Sequence, residues 1–434
     1  MKSTFLSVLL GGLAITTMAS AQTNLTIATV NNAEMIVMQE LSHEFEAQNP
    51  DIKLNWVTLE ENTLRQKVTT DISTKGGQFD IMTVGAYETA LWGKNGWLLP
   101  LDDLPNNYDI DDLIPSVRNI LSADGHLYAS PFYAESSMTY YNKALFEKAG
   151  IQMAEKPTFE DITNYAKAIS ALNSDAYGIC LRGKAGWGEN MGSITTTVHN
   201  FGGQYFDEDW NVTIDTPEWH NAISWYHDVL TKYGPPGASS NGYNENRALF
   251  ASGKCGMWID ATVAAGYFKD PKESQVADVV GFAPAPVDIN PKGAGWLWSW
   301  ALGIPSSSQK VEDAKKFISW ATSKDYIRLV GEKKGWLTIP PGTRKSTYEI
   351  KDYMDKAEFA PQVYASLMAA NPTDNTLKPS PYVGIQFVQI PEFQSFGTEI
   401  GQIMSALIAG DIDVDTAIKR SQQTTERIIK RTRK

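Results

Sequence analysis

A chain of 434 residues with a formal charge of −12 and a pI near 5.0 is repelled by phosphate backbones and anionic lipid, which argues against nucleic acid and acidic membrane surfaces as partners. Its composition, 42% hydrophobic and 20% charged with no low-complexity tract, is that of a folded globular protein long enough for two or three domains.

The first element in the chain is a leader. Lys2 gives a positive start, Phe5–Ile15 an apolar run, and Ala19-Ser20-Ala21 a small-residue cleavage site before Gln22, so residues 1–22 read as a secretory signal peptide. Thr16-Thr17 interrupt the run short of the about 20 apolar residues that a bilayer span requires. Glutamine rather than cysteine follows the cut, so no lipid anchor is expected. Retention in a Gram-negative periplasm suits such a product.

Leu25–Val30 is expected as a strand and Ala33–Gln48 as a helix, with Met38, Leu41 and Phe45 at helical spacing and Asn49-Pro50 as a stop. Ile52, Leu54 and Trp56 alternate as a second strand. A helix over Thr63–Thr74 and a strand over Phe79–Val84 follow. This order predicts a parallel sheet with helices on both faces. Ligands bind beyond the carboxyl ends of such strands, here Asn31-Asn32, Glu60-Glu61 and Gly85–Glu88.

A second unit is expected after Pro131. It has a helix over Glu160–Leu172, a strand over Tyr177–Leu181, and a helix over Pro217–Tyr233 opened by Thr216-Pro217 and closed by Gly234-Pro235-Pro236. A further strand covers Cys255–Asp260. Cys180 and Cys255 could pair in an oxidising compartment or remain as two buried thiols; their spacing does not suit a structural zinc site. From Gly281 the pattern becomes proline-punctuated. Gly293-Ala294-Gly295 then leads into a strand over Trp296–Ile304, and helices are expected over Val311–Thr322 and Lys324–Lys333.

Chemistry concentrates in three places. The loop Arg182–Asn190 mixes a guanidinium, Trp187, Glu189 and an amide among glycines, which suits close approach to a polyhydroxylated molecule. In Trp296-Leu297-Trp298-Ser299-Trp300, alternate residues share a strand face, so the three indoles line up as plates for sugar C–H surfaces or as core. Met257-Trp258-Ile259-Asp260 repeats a tryptophan and an aspartate at a strand end. No nucleophile elbow, phosphate-binding loop or zinc-protease motif occurs. Carboxylates such as Glu135, Glu189 and Asp260 leave a secreted carbohydrate-active enzyme, of glycoside hydrolase type, as the alternative to a binding protein.

With Phe79-Asp80-Ile81-Met82, Gly96–Leu101, Leu127–Pro131, Tyr140–Phe146 and Arg247–Met257, the chain resembles the extracellular solute-binding proteins of ABC sugar importers, of the maltose-binding class, over essentially its whole mature length. Pro131–Tyr141 and Arg182–Asn190 are similar to the binders that serve sorbitol and mannitol uptake. The resemblance implies an α/β, type II periplasmic-binding-protein fold: two lobes of discontinuous segments around a hinge, with an interlobe ligand cleft. The expected division is 23–132 plus 293–340 for the amino-terminal lobe and 133–292 plus 341–434 for the carboxy-terminal lobe. Crossings are expected near Pro131–Glu135, Pro286–Gly295 and Leu337–Thr343.

By strand-end position and by resemblance, Asn32, Thr83 and Tyr87 are expected to offer polar contacts from the first lobe, and Glu135 to accept bonds at the first crossing. Arg182 donates from the second lobe with Trp187 and Asp260 beside it, while Trp258, Trp298 and Trp300 supply plates. The implied function is capture of a sugar alcohol or small sugar for a membrane permease by a periplasmic monomer. No cofactor, no metal, no nucleic acid and no stable membrane insertion are expected.

Overall fold

The computed structural model describes residues 22–432 apart from 173–174 and 293–294. The expected leader lies outside these residues except for Gln22, as do Gly293 and Ala294 of the glycine turn.

The amino-terminal half builds a mixed sheet around β1 (Thr23–Val30), β2 (Ile52–Leu59) and β3 (Ile81–Gly85), which run parallel in the order β2-β1-β3. β3 is buried along its whole length, as expected of a strand covered on both faces. Between these strands lie α1 (Ala33–Gln48) and α2 (Glu61–Thr74). Asn32 caps α1, its Oδ1 accepting from the Met35 amide at 3.0 Å, and Met35, Met38, Leu41 and Phe45 turn one face inward. Glu60 caps α2, accepting from the amides of Asn62 and Thr63. α3 (Ala86–Lys94) and α4 (Pro115–Ile120) lead to a small ribbon of β4 (Ser122–Ala123) and β5 (His126–Leu127), and then to β6 (Ser130–Glu135) at the sheet edge.

Two positions after Glu135, β7 (Ser137–Asn142) begins a different sheet. There β7 lies between β8 (Met257–Ala261) and β9 (Val280–Pro284), antiparallel to both. The second unit expected after Pro131 is thus built on an antiparallel sheet, unlike the parallel strands of the first. The segment around Tyr177–Cys180 only touches the edge of β8 through isolated parallel bridges. α5 (Lys143–Ala149), α6 (Phe159–Ser170), α7 (Asn190–Asn200), α8 (Pro217–Tyr233) and α9 (Tyr243–Ala251) come between β7 and β8 in the chain, and α10 (Ala265–Lys269) between β8 and β9. Cys180 and Cys255 form a disulfide with Cα atoms 5.9 Å apart, which settles the open alternative in favour of pairing.

The chain then returns. β10 (Trp298–Gly303) inserts antiparallel between β3 and β6, completing the five-stranded order β2-β1-β3-β10-β6. α11 (Val311–Ala321) and α12 (Lys324–Lys334) follow; Phe317 of α11 meets Phe45 of α1 edge to face at 5.2 Å. After α12 the chain runs beside β6, where Ala134 donates its amide to Pro341 O at 2.9 Å. Gly342 is needed there, because its φ is +81° and any Cβ would collide with Ala134 O. α13 (Lys351–Lys356), α14 (Ala360–Ala369), α15 (Phe393–Ala409) and α16 (Val414–Thr432) complete the structure. No helix among the described residues is long and apolar enough to cross a membrane.

Candidate functional site

The two sheets face each other across a cleft, and the carboxyl ends of β1, β2 and β6 point into it. Because β10 runs antiparallel, its amino end arrives at the same rim: Trp298 pairs with Glu135 and Trp300 with Gly85. A cavity lies here. The first sheet contributes Asn32, Glu61, Arg65, Tyr133 and Glu135. The second side contributes Arg182, Trp187, Gly188, Glu189 and Tyr243, with Trp296, Trp298, Trp300 and Gln386 between them.

Of the ten residues expected from sequence, Asn32, Glu135, Arg182, Trp187, Trp298 and Trp300 line this cavity. Asn32 is partly engaged, since its Oδ1 caps α1 and its Nδ2 donates to Tyr133 Oη at 2.8 Å, which leaves one N–H and one lone pair of the amide. The other four lie elsewhere. Thr83 is buried in the first sheet and donates to Thr29 Oγ1 at 3.0 Å. Tyr87 donates its hydroxyl to Ile390 O at 2.9 Å and packs behind Trp187, ring centroids 4.8 Å apart. Trp258 is fully buried, stacked on its cross-strand partner Tyr140 at 5.3 Å, so it is core and not a plate. Asp260 is also fully buried and holds Arg182 in a two-point pair, accepting from Nε at 2.8 Å and Nη2 at 2.6 Å.

Sequence reading placed Glu61 and Glu88 at strand ends that face a ligand but missed Arg65, which both carboxylates hold. Arg65 donates from Nη1 to Glu88 at 2.6 Å and from Nε and Nη2 to Glu61 at 3.1 and 2.9 Å. Glu61 and Arg65 stand one helical turn apart on α2, a spacing that was readable. Gln386 carries no such signal; it comes from an irregular segment and donates to Leu297 O at 2.9 Å.

Contacts also bridge the cleft mouth. Lys184 Nζ pairs with Glu60 at 2.7 Å, and Asn62 Nδ2 donates to Ala185 O at 3.3 Å. Glu61 abuts the α-carbon of Gly188, where a Cβ would sit 2.5 Å from Oε1. The glycine therefore permits the approach.

The charges are strongly shaped by burial. Burial works against the charge of Arg182, but Asp260 and Glu189 outweigh it and hold its pKa well above the usual value. Arg65 is raised too: burial opposes it while Glu88 and Glu61 prevail. Burial drives the Glu135 carboxyl well above the usual range, opposed by Arg182 and reinforced by Asp260. A protonated carboxyl both donates and accepts, which matches a hydroxyl. Two further groups on the lining, Trp296 Nε1 and Gln386 Oε1, are buried and have no partner in the protein. Such groups cost stability unless something bonds them.

Burial and the facing Glu61 raise Glu189 to about 7, against Arg182 and Lys184. The folded protein therefore holds this proton more tightly than the unfolded chain, and the contribution of Glu189 to stability falls as pH rises from about 4.5 towards 7. Glu189→Gln is expected to flatten that part of the profile, by on the order of 1–3 kcal/mol. Urea midpoints of parent and variant across this range check it; parallel profiles would remove the carboxyl from the account.

Among the described residues, no cluster of three or more histidine, cysteine or acidic side chains could hold a metal ion.

The mannitol-binding protein of Pseudomonas aeruginosa is 53% identical over 419 residues, 96% of each chain. The crystal structure of an ABC transporter solute-binding protein from Agrobacterium vitis, with bound D-mannitol, is 56% identical and superposes with a TM-score of 0.93, covering 94% of this chain and 98% of that one. The maltose-bound MalE3 of T. maritima, 21% identical, shares the fold, with a TM-score of 0.80 over 93% of this chain and 99% of that one. The architecture is thus the type II periplasmic-binding-protein fold. Residues 31–327 match the bacterial extracellular solute-binding protein family, and the chain belongs to that family.

Proposed function

We propose that the protein captures a sugar alcohol of the mannitol type in the periplasm and hands it to the permease of an ABC importer, without chemical conversion. The observation that carries this reading is the cavity between the sheets, where buried unpartnered polar groups, the buried Glu135 carboxyl and two fixed guanidinium groups stand beside indole rings. Such a lining offers both donors and acceptors to an uncharged chain of hydroxyls. The mannitol named for the P. aeruginosa relative and bound in the A. vitis structure supports the same ligand class. The leader pattern and the disulfide suit an oxidising exported compartment.

Residues 23–132 with 293–340, and 133–292 with 341–434, are proposed to move as two lobes about the three crossings. Ligand then shifts the population towards a closed form that engages the permease. The protein acts as a monomer. Calorimetric titration with D-mannitol, D-sorbitol and D-arabitol is expected to give saturable heat, and X-ray scattering a smaller radius with ligand. At a hundredfold excess over Kd the ligand should add about 2.7 kcal/mol of stability. Absence of heat across the panel would defeat the proposal, and release of a converted product would favour the enzyme alternative.

A further inference from the structure

Of the tryptophans expected as plates, Trp298 and Trp300 reach the cavity beside Trp187, and the structure puts a cation against all three. The Arg65 guanidinium carbon lies 4.0 Å from the Trp187 ring centroid, 4.7 Å from Trp300 and 5.0 Å from Trp298. All four side chains line the cavity, and Arg65 is only 4% exposed. Such a desolvated cation–π arrangement is strongly held. The charge is also fixed from the other side by Glu88 and Glu61. Removing it would strand the Glu88 carboxylate, itself 3% exposed, so a neutral ligand cannot simply displace it.

We propose that Arg65 is a specificity-determining residue that selects open-chain polyols over pyranose sugars, an inference that rests on the ligand class proposed above. A pyranose binds an aromatic plate through the apolar C–H face of its rigid ring, and that face needs the position the guanidinium fills. An open-chain polyol carries a hydroxyl on every carbon and presents no comparable apolar face; it needs bonding partners instead. Arg65 has five N–H groups. Three are engaged by Glu61 and Glu88, leaving one on each terminal nitrogen for a hydroxyl. The same side chain thus blocks stacking and supplies donors. Because Arg65 stands on α2 of the first sheet and Trp187 on the loop of the second side, the filled position is completed where the two sides meet.

The test is calorimetric titration of D-mannitol and D-glucose, six-carbon ligands that differ in ring formation, against the parent and Arg65→Ala. The parent is expected to prefer mannitol. In the variant the mannitol-to-glucose affinity ratio should fall at least tenfold, with weaker mannitol binding and measurable glucose binding on the freed rings. Should the single variant fail to fold because Glu88 is left unpaired, the double variant Arg65→Ala/Glu88→Gln carries the same expectation. A smaller change in the ratio, or loss of both ligands from the folded variant, overturns the inference while leaving the mannitol-binding reading intact. A parent that binds neither ligand overturns both.

Discussion

Arg182→Ala is expected to cost the protein both its ligand and much of its stability. Loss of a donor that faces the cavity should weaken polyol binding by about 2 kcal/mol or more, roughly thirtyfold. The stability effect comes from Asp260. This carboxylate is fully buried and its two oxygens receive the guanidinium, so truncation leaves a buried charge with the Ala261 amide but without its counter-ion, at a cost of about 3–5 kcal/mol. Arg182 Nη1 also donates to Gly188 O at 3.0 Å, which ties down the loop carrying Trp187 and Glu189. Sequence alone would suggest a variant that folds normally and merely binds less well; the pair with Asp260 says otherwise. Urea unfolding and calorimetry separate the two effects. The double variant Arg182→Ala/Asp260→Asn should regain a good part of the stability but none of the affinity. Unchanged affinity in the single variant would remove Arg182 from the site.

Reduction of the Cys180–Cys255 bridge is the second large effect. The two residues are 75 positions apart, and closing a loop of that length in the unfolded chain is worth about 4 kcal/mol in the chain-entropy account. Both are fully buried at the junction between the Tyr177–Cys180 segment and β8. Cys180→Ser/Cys255→Ser is therefore expected to lower the urea midpoint markedly, and reductant should do the same to the parent but not to the variant. Equal midpoints with and without reductant in the parent would show that the bridge carries no such weight. Since β8 also bears Asp260, the reduced protein should bind ligand less well at temperatures near its melting point.

How far the sequence foretold this structure depends on the range of the interactions involved. The Met38–Leu41–Phe45 stripe and the Pro217–Tyr233 helix are set by neighbours within a few positions, and both appear as expected, whereas Asn32, expected as a ligand contact, also caps α1. The antiparallel second sheet was not foreseen, because its strands are brought together from residues 137, 257 and 280 and no local pattern states their direction. The same limit governs the site. Alternation placed Trp298 and Trp300 on one face, and both line the cavity. It gave Trp258 and Asp260 a shared face too, yet that face looks onto Tyr140 and Arg182, which arrive from elsewhere in the chain. What occupies the indole faces could not be read from the tryptophans themselves. It depends on Arg65, more than 230 residues upstream of Trp298 and Trp300.

The late arrival of β10 has a consequence for how the molecule comes into being. Until residue 303 has been synthesised, the first sheet has no strand to join β3 to β6, and no shorter nascent chain can supply one. Such long-range pairing delays commitment to the native state. A polypeptide that stays pliable until most of its length exists would suit threading through a narrow translocation pore before it collapses, as the export proposed above requires.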